Sequence, residues 1–210
     1  ARTGGVEKAG EGEDYERYSW DAPLIISPHS PQRLYFASSR VWKSNNRGDH
    51  WTAISGDLTR HEERFDLHIM GRKQSWDNAW DVYAMSNYNT ISAINESPIQ
   101  EGLIYAGTDD GLIQVTEDGG KNWTRIEINS LPNAPERAYV SDLKADLFDA
   151  DIVYASLSAI KTGDFTPYLY KSTNKGHTWK SIANNLPERN VVWRLAQDYI
   201  KKDLMFVGTE

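Results

Sequence analysis

One pattern, Ser/Thr-x-Asp/Asn-x-Gly-x-x-Trp, occurs three times in the 210 residues: from Ser44 to Trp51, from Thr116 to Trp123 and from Ser172 to Trp179. Each copy has the chemistry of a tight hairpin. Gly48, Gly120 and Gly176 accept positive φ without steric cost. Asn46, Asp118 and Asn174 place a short side-chain oxygen where it can accept backbone N–H groups of the same turn, and Ser44, Thr116 and Ser172 add a hydroxyl. Trp51, Trp123 and Trp179 are expected to bury their rings against the neighbouring repeat. A ligand-binding reading would make these turns calcium or sugar ligands. Two of the three carry neutral Asn, however, and an amide serves a hard cation poorly where a carboxylate is expected, so the structural role is favoured.

Two further markers recur in phase with the box. An apolar-aromatic strand precedes each copy at Leu34–Ala37, Ile104–Gly107 and Val153–Ser156, and appears a fourth time at Met205–Gly208 with no box after it. The aromatic residues Tyr35, Tyr105, Tyr154 and Phe206 follow one another after 70, 49 and 52 positions. Earlier still come the strand-like runs Leu24–Pro28, Ile91–Asn95, Val140–Lys144 and Val192–Ala196. One unit therefore reads as an inner strand, the aromatic strand, a third strand, the box hairpin and a fourth strand. A four-stranded antiparallel unit at a period near 50 is the mark of a propeller blade. The expected fold is all-β, a β-propeller fragment of three four-stranded blades plus the start of a fourth. The divisions are a leading segment 1–22, a blade 23–59, an inter-blade insertion 60–89, a blade 90–128, a blade 139–183 and the start of another at 191–210.

Composition supports the class and removes several functions. Eight Trp and eleven Tyr against three Met favour strands over a helical bundle. With a net charge of −7 and no long Lys/Arg cluster, the footprint that grips a phosphate backbone is missing, so no nucleic-acid partner is expected. No stretch approaches the roughly 18 apolar residues of a membrane span. There is no cysteine, which excludes disulfides and thiolate metal sites. His61 and His68 are too isolated for three-ligand zinc spacing, and no metal or cofactor is expected. The first residues lack the apolar core of a signal peptide, so any such signal is expected to have been removed.

Strand alternation sends the box hairpins to one end of the blades. The turns between second and third strands, and the connections between blades, emerge at the other end, where a ligand is expected. The loops there are Ser38–Arg40, Thr108–Gly111, Ser158–Pro167 and the insertion Arg60–Asn89. Ligand-binding candidates are Arg40, Arg72, Trp76, Trp80, Tyr83, Tyr88, Asp109 and Asp110. Trp and Tyr in the insertion would stack on sugar rings or dock a peptide, or Trp76 and Trp80 would cover the blade edge as a packed lid. Asp109 and Asp110 form a potential carboxylate pair, although Asp-Asp-Gly between two strands is also a hairpin turn. Glycoside hydrolysis needs two carboxyl groups roughly 5 to 9.5 Å apart. The candidates are Asp81, Asp109, Asp110 and Asp164, with no assignment of acid and base among them.

The boxes resemble the Asp-box or BNR repeats of sialidases, of two-propeller xyloglucanases and of the sortilin receptor family. Ile26-Ser27-Pro28-His29, Tyr105 to Leu112 and Trp179-Lys180-Ser181-Ile182 are most similar to large secreted bacterial proteins known as sortilin-like, BNR-repeat "glycosyl hydrolases". The resemblance implies a secreted, periplasmic or cell-surface propeller that binds a peptide, protein or polysaccharide or acts as a scaffold, with xyloglucanase-like hydrolysis as the alternative. Sialidase chemistry is disfavoured because the Arg-Ile-Pro segment of that family is absent. Open blade edges imply that the remainder of a parent propeller, or another copy, packs against them.

Overall fold

A computed structural model describes residues 16–63, 66, 68–69, 72–73 and 88–210. Residues that alternate or run apolar between turn signals form the strands. The first sheet is β1 (Leu24–Ile26), β2 (Leu34–Ala37), β3 (Val41–Ser44) and β4 (Thr52–Ala53). A two-strand hairpin, β5 (His68–Ile69) and β6 (Arg72–Lys73), lies in the insertion. The second sheet is β7 (Ile91–Glu96), β8 (Ile104–Thr108), β9 (Leu112–Thr116) and β10 (Thr124–Glu127). The third is β11 (Tyr139–Ala145), β12 (Val153–Ala159), β13 (Asp164–Ser172) and β14 (Lys180–Ser181). A pair, β15 (Val192–Gln197) and β16 (Met205–Thr209), opens a fourth. Each sheet is an antiparallel meander in sequence order, so the chain is all-β, with three four-stranded blades and the start of another.

The core lies between sheets. Every residue of β8 and of β12 is buried, because a strand in the middle of a blade meets a neighbouring blade on each face. Tyr35 and Val41 pack with Ile91, Ile94 and Ile104 between the first two blades. Tyr105 and Ile113 pack with Val140 and Leu143 between the next two. Tyr154 and Leu169 pack with Val192 and Leu195 beyond them. Approach is closest at Gly107, where a Cβ would lie 2.3 Å from Val140 Cγ1. The inner strands carry a bulge at Ser92, at Ser141 and at Trp193. The two bulge serines turn their hydroxyls to the next blade, Ser92 Oγ donating to Val140 O and Ser141 Oγ to Val192 O, each at 2.8 Å.

The three boxes are superimposable in their bonding. The first-position hydroxyl accepts the glycine N–H at 2.9, 2.9 and 2.8 Å in Ser44, Thr116 and Ser172. The same hydroxyl donates to Asn46, Asp118 and Asn174 at 2.9, 2.8 and 3.0 Å. Those oxygens in turn accept the backbone N–H of His50, Asn122 and Thr178. The residue before each glycine is left-handed too, Arg47 at φ 58°, Gly119 at 74° and Lys175 at 55°. Its N–H ties the box to the turn between the first two strands, on Gln32 O, Gly102 O and Asp151 O.

Three expectations change in detail. Leu24 pairs with Phe36 as Ile94 pairs with Ala106, Leu143 with Ala155 and Leu195 with Val207. The run Leu24–Pro28 is therefore the counterpart of the stretch beginning at Ile94, not at Ile91. The loop Ser158–Pro167 is shorter than its composition suggests. Strands extend to Ala159 and from Asp164, and a 3-10 turn over Ile160–Thr162 with Gly163 at φ 83° makes the connection. Finally, Trp123 and Trp179 do pack on the preceding blade, but Trp51 packs edge-on to Phe36 of its own sheet, 6.1 Å between centroids.

The two outer faces of the described blades are apolar. Leu24 and Ile26 are 59% and 65% exposed, where the counterparts of Leu24, namely Ile94, Leu143 and Leu195, are buried. At the far side Phe206 is 58% exposed, where Tyr35, Tyr105 and Tyr154 are buried.

Overpacking at the closest inter-blade contact should destabilise Gly107→Ala by about 1–3 kcal/mol. In a urea titration Gly56→Ala, which meets nothing within 4 Å, should leave the midpoint unmoved. Ser172→Ala leaves the N–H groups of Asn174 and Gly176 without their acceptor and should cost about 1–3 kcal/mol. Ser172→Thr, the residue used in the second box, should restore the midpoint.

Candidate functional site

The turns β2–β3, β8–β9 and β12–β13 and the inter-blade connections gather at the end of the blades opposite the boxes. The segment before β1 lies over this face. Glu16 accepts from Ser38 Oγ and pairs with Arg40 Nε at 3.1 Å. Arg17 pairs with Asp57 and donates to Thr59 Oγ1 at 3.2 Å and to Asn89 O at 3.1 Å. Asp57 also meets His61 Nδ1 at 2.8 Å. Burial opposes its ionisation, but bonds from His61, Thr59 and Arg17 hold its carboxyl below the ordinary range. Arg40, a sequence candidate, is thus half of an ion pair with the leading segment.

Asp109 and Asp110 sit at the β8–β9 turn, closed by Gly111 at φ 88°. Their side chains do different work. Asp109 accepts the Thr90 N–H at 2.9 Å and the Thr90 hydroxyl at 2.7 Å, tying the turn to the start of the same blade. Asp110 accepts from Thr108 Oγ1 and from the Arg60 N–H at 2.8 Å, while Arg60 Nε donates to Asp110 O at 2.8 Å. This fixes the entrance of the insertion. Burial pushes Asp109 up to about 7, against the Thr90 bonds and with help from neighbouring Asp110. Burial raises Asp110 as well.

Beside the turn, Arg137 grips Glu62 with both terminal nitrogens, at 2.5 and 2.6 Å, and holds that carboxyl below its usual range. Burial lifts the phenol of Tyr88 to about 12, against the opposing influence of the same guanidinium. Asn89, left-handed at φ 59°, closes the insertion against its beginning through Glu62 N and O.

Further along the face, Tyr139 and Trp193 meet edge to face, 6.4 Å between centroids, with Lys161 Nζ 5.9 Å from the Tyr139 ring centre. Both rings are half-buried. Trp193 Nε1 donates to Glu210 at 3.1 Å. Arg189 stacks over Phe165 at 5.0 Å. Asp109 lies within electrostatic reach of both Tyr139 and Lys161. Sequence reasoning missed Tyr139, Trp193, Lys161 and Arg137. Their only signal was position: Tyr139 begins an inner strand and Trp193 is the bulge residue of the next.

The structure brings Tyr88, Asp109 and Asp110 into one cluster, with Arg40 on the same face. Asp164 stays with its own strand, accepting Tyr168 OH at 2.7 Å and the Thr166 N–H at 2.9 Å. Those bonds keep its carboxyl low although burial works the other way. Asp81, Trp76, Trp80 and Tyr83 lie outside the described residues, and of Arg72 only the backbone, in β6, is described. Among the described residues no three His, Asp or Glu come together as a metal site.

No family model matches the chain, and no curated protein matches it. Solved structures do. An ancestral GH74 enzyme aligns with a TM-score of 0.61 at 16% identity, covering 92% of this chain and 22% of that one. The GH74 enzyme of Niastella koreensis aligns at 0.58 and 15%, covering 90% and 26%. The Cps50 (Swd1) β-propeller domain of Myceliophteria thermophila aligns at 0.56 and 10%, covering 93% and 50%. The chain thus spans half or less of each of these structures, and at such identities the likeness shows the fold: this is a β-propeller chain.

Proposed function

We propose that the chain belongs to a secreted, periplasmic or cell-surface propeller of the Asp-box, sortilin-like type that binds a polysaccharide, peptide or protein at the face opposite its boxes. The support is the division of labour on that face. The carboxylates of Asp109 and Asp110 are taken up by Thr90, Thr108 and the Arg60 backbone, whereas Tyr139 and Trp193 present an aromatic platform flanked by Lys161. Aromatic rings give large contact area at low entropy cost. Trp76, Trp80 and Tyr83, in the connection between Arg60 and Asn89, are proposed from the sequence alone as further ligand contacts. The exposed Leu24, Ile26 and Phe206 faces are proposed to be covered by further blades of a parent propeller or by another copy.

A second reading, glycoside hydrolysis, has one observation in its favour beyond the GH74 likeness of the fold. A carboxyl held near 7 by burial is protonated where a general acid needs to be. Asp109 is its acid, and Asp109→Asn would abolish turnover.

Incubating the chain with β-glucans, xyloglucan and a peptide panel separates the readings. Binding is expected without new reducing ends, and Trp193→Ala should weaken it about tenfold or more, the loss of one interface hot spot. New reducing ends would establish the hydrolase reading, and binding indifferent to Trp193→Ala would remove the platform. Protonation also has a sign that stability reports. The folded state holds the Asp109 proton up to about 7, the unfolded chain only to near 3.8. Its contribution is therefore present at low pH and is lost as pH rises between those values. Asp109→Asn should remove this falling contribution, so that the difference in unfolding free energy between the native chain and the variant decreases as pH rises through the window.

A further inference from the structure

The inner strands enter their blades at the end opposite the boxes, and aromatic side chains gather at these entries. Tyr139 opens β11, and Trp193 is the bulge residue of β15. Trp20 belongs with them by register. It stands four residues before Leu24, as Tyr139 stands four before Leu143, and Leu24 and Leu143 hold the same place in their sheets. Trp20 is 84% exposed, more than any other large apolar side chain described. The chain on either side of it is pinned, by Arg17 to Asp57 and by Pro23 O, which accepts the Ala37 N–H at 3.1 Å. Its neighbour Asp21 lies within electrostatic reach of the Tyr139 phenol, so the turn that carries Trp20 lies near the ring of the third blade. An indole so exposed on an anchored turn packs no core, and its contact surface is left for a partner.

What these rings offer is their faces. Trp193 Nε1 is already donated to Glu210, and the face of an aromatic ring carries the negative part of its quadrupole. The protein itself places cations on such faces at this end. Lys161 Nζ sits 5.9 Å from the Tyr139 ring centre, and Arg189 lies 5.0 Å over Phe165. Lys161 is exposed and makes no ion pair among the described residues, so the ring is its partner. The fixed charges agree. Asp21 is near Tyr139 and Glu210 is on Trp193, whereas the other cation, Arg194, turns its guanidinium to the carbonyls of Ser141 and Trp193. An anion arriving here would find one uncommitted donor, Lys161, between two carboxylates. A cation would find the ring faces, the same two carboxylates and a position that a lysine already takes. The net charge of −7 favours the same sign at longer range.

Resting on the reading that this face binds a ligand, we propose that Trp20, Tyr139 and Trp193 receive a cationic side chain, arginine or lysine, of a partner peptide, in the place that Lys161 now occupies. Lys161 is then an internal occupant that the partner displaces.

The sign of one substitution separates this ligand class from the others. The indole N–H signals of Trp20 and Trp193 are followed by NMR while end-blocked Gly-Arg-Gly, Gly-Lys-Gly, Gly-citrulline-Gly and Gly-Glu-Gly are added, citrulline keeping the shape of arginine without its charge. Saturable shifts are expected with the arginine and lysine peptides and not with the other two. Lys161→Ala removes the competitor and should tighten the arginine peptide about two- to fivefold, the worth of one exposed cation–π contact, and Trp20→Ala should weaken it by a similar factor. Lys161→Arg, which keeps a cation over the ring, should not tighten it. Both Trp20 and Lys161 are exposed, so these variants keep the fold. Equal binding of the citrulline peptide overturns the proposal, and so does weakening by Lys161→Ala, which would assign Lys161 to an anionic or neutral ligand. If a glucan or a neutral peptide binds through Trp193 and the arginine peptide does not, the cation is removed and the platform stands. If nothing binds in a Trp193-dependent way, the platform falls with it.

Discussion

Burial of each sheet on two faces at once is the constraint from which the rest of this structure follows. A four-stranded antiparallel sheet standing alone has one face to hide and one to wet, and its strands alternate accordingly. Here β8 and β12 have no wet face. Each blade depends on its neighbours for most of its hydrophobic stabilisation, and the contact has to be close enough to exclude water. That closeness explains the missing side chain at Gly107, and it explains why polar side chains that reach between blades, Ser92, Ser141 and Asn95, each end on a backbone group of the next blade. A buried hydroxyl or amide left without such a partner costs about 1–3 kcal/mol.

The polar work is done at the two rims. At one rim the box hairpins repeat a single bonding scheme and bolt onto the turn that precedes them. At the other, no two blades are alike: one turn is tied to the leading segment through Glu16, the next to the insertion through Arg60, and the third is a 3-10 turn ending in Gly163. Uniformity at one end holds the blades in register, and variation at the other gives the surface its individual chemistry.

The boxes, the aromatic strands and the number of blades were legible in the sequence because each rests on local chemistry. The phase of the first inner strand was not. Leu24-Ile25-Ile26 is apolar at every position, so it fits any register, and only pairing with Leu34, Tyr35 and Phe36 fixes it. A fourth marker was present but disguised. Ser27, Ser97, Asp146 and Asp198 each stand eight residues before the aromatic residue of the next strand, and each side chain caps its turn by accepting backbone N–H groups. The spacing is constant, but Ser and Asp interchange, since either oxygen serves. The candidate face was legible as a set of loops and not as a set of contacts. Asp109 and Asp110 are adjacent in sequence, yet one is bound to Thr90 and the other to Arg60 across 50 positions. Arg137 and Glu62, or Tyr139 and Trp193, meet only because blades stack, which no local pattern encodes.

The exposed Leu24 on one side and Phe206 on the other stand where their counterparts in the described blades are buried, so each outer face matches one half of an inter-blade contact. Such a contact is heterologous: the surface offered differs from the surface accepted, so each addition regenerates the site for the next. In the parent propeller proposed above, a small rotation from blade to blade would turn that growth into a closed ring and not a filament. Curvature is the terminator of such an architecture, and the bulges at Ser92, Ser141 and Trp193 are where these inner strands bend.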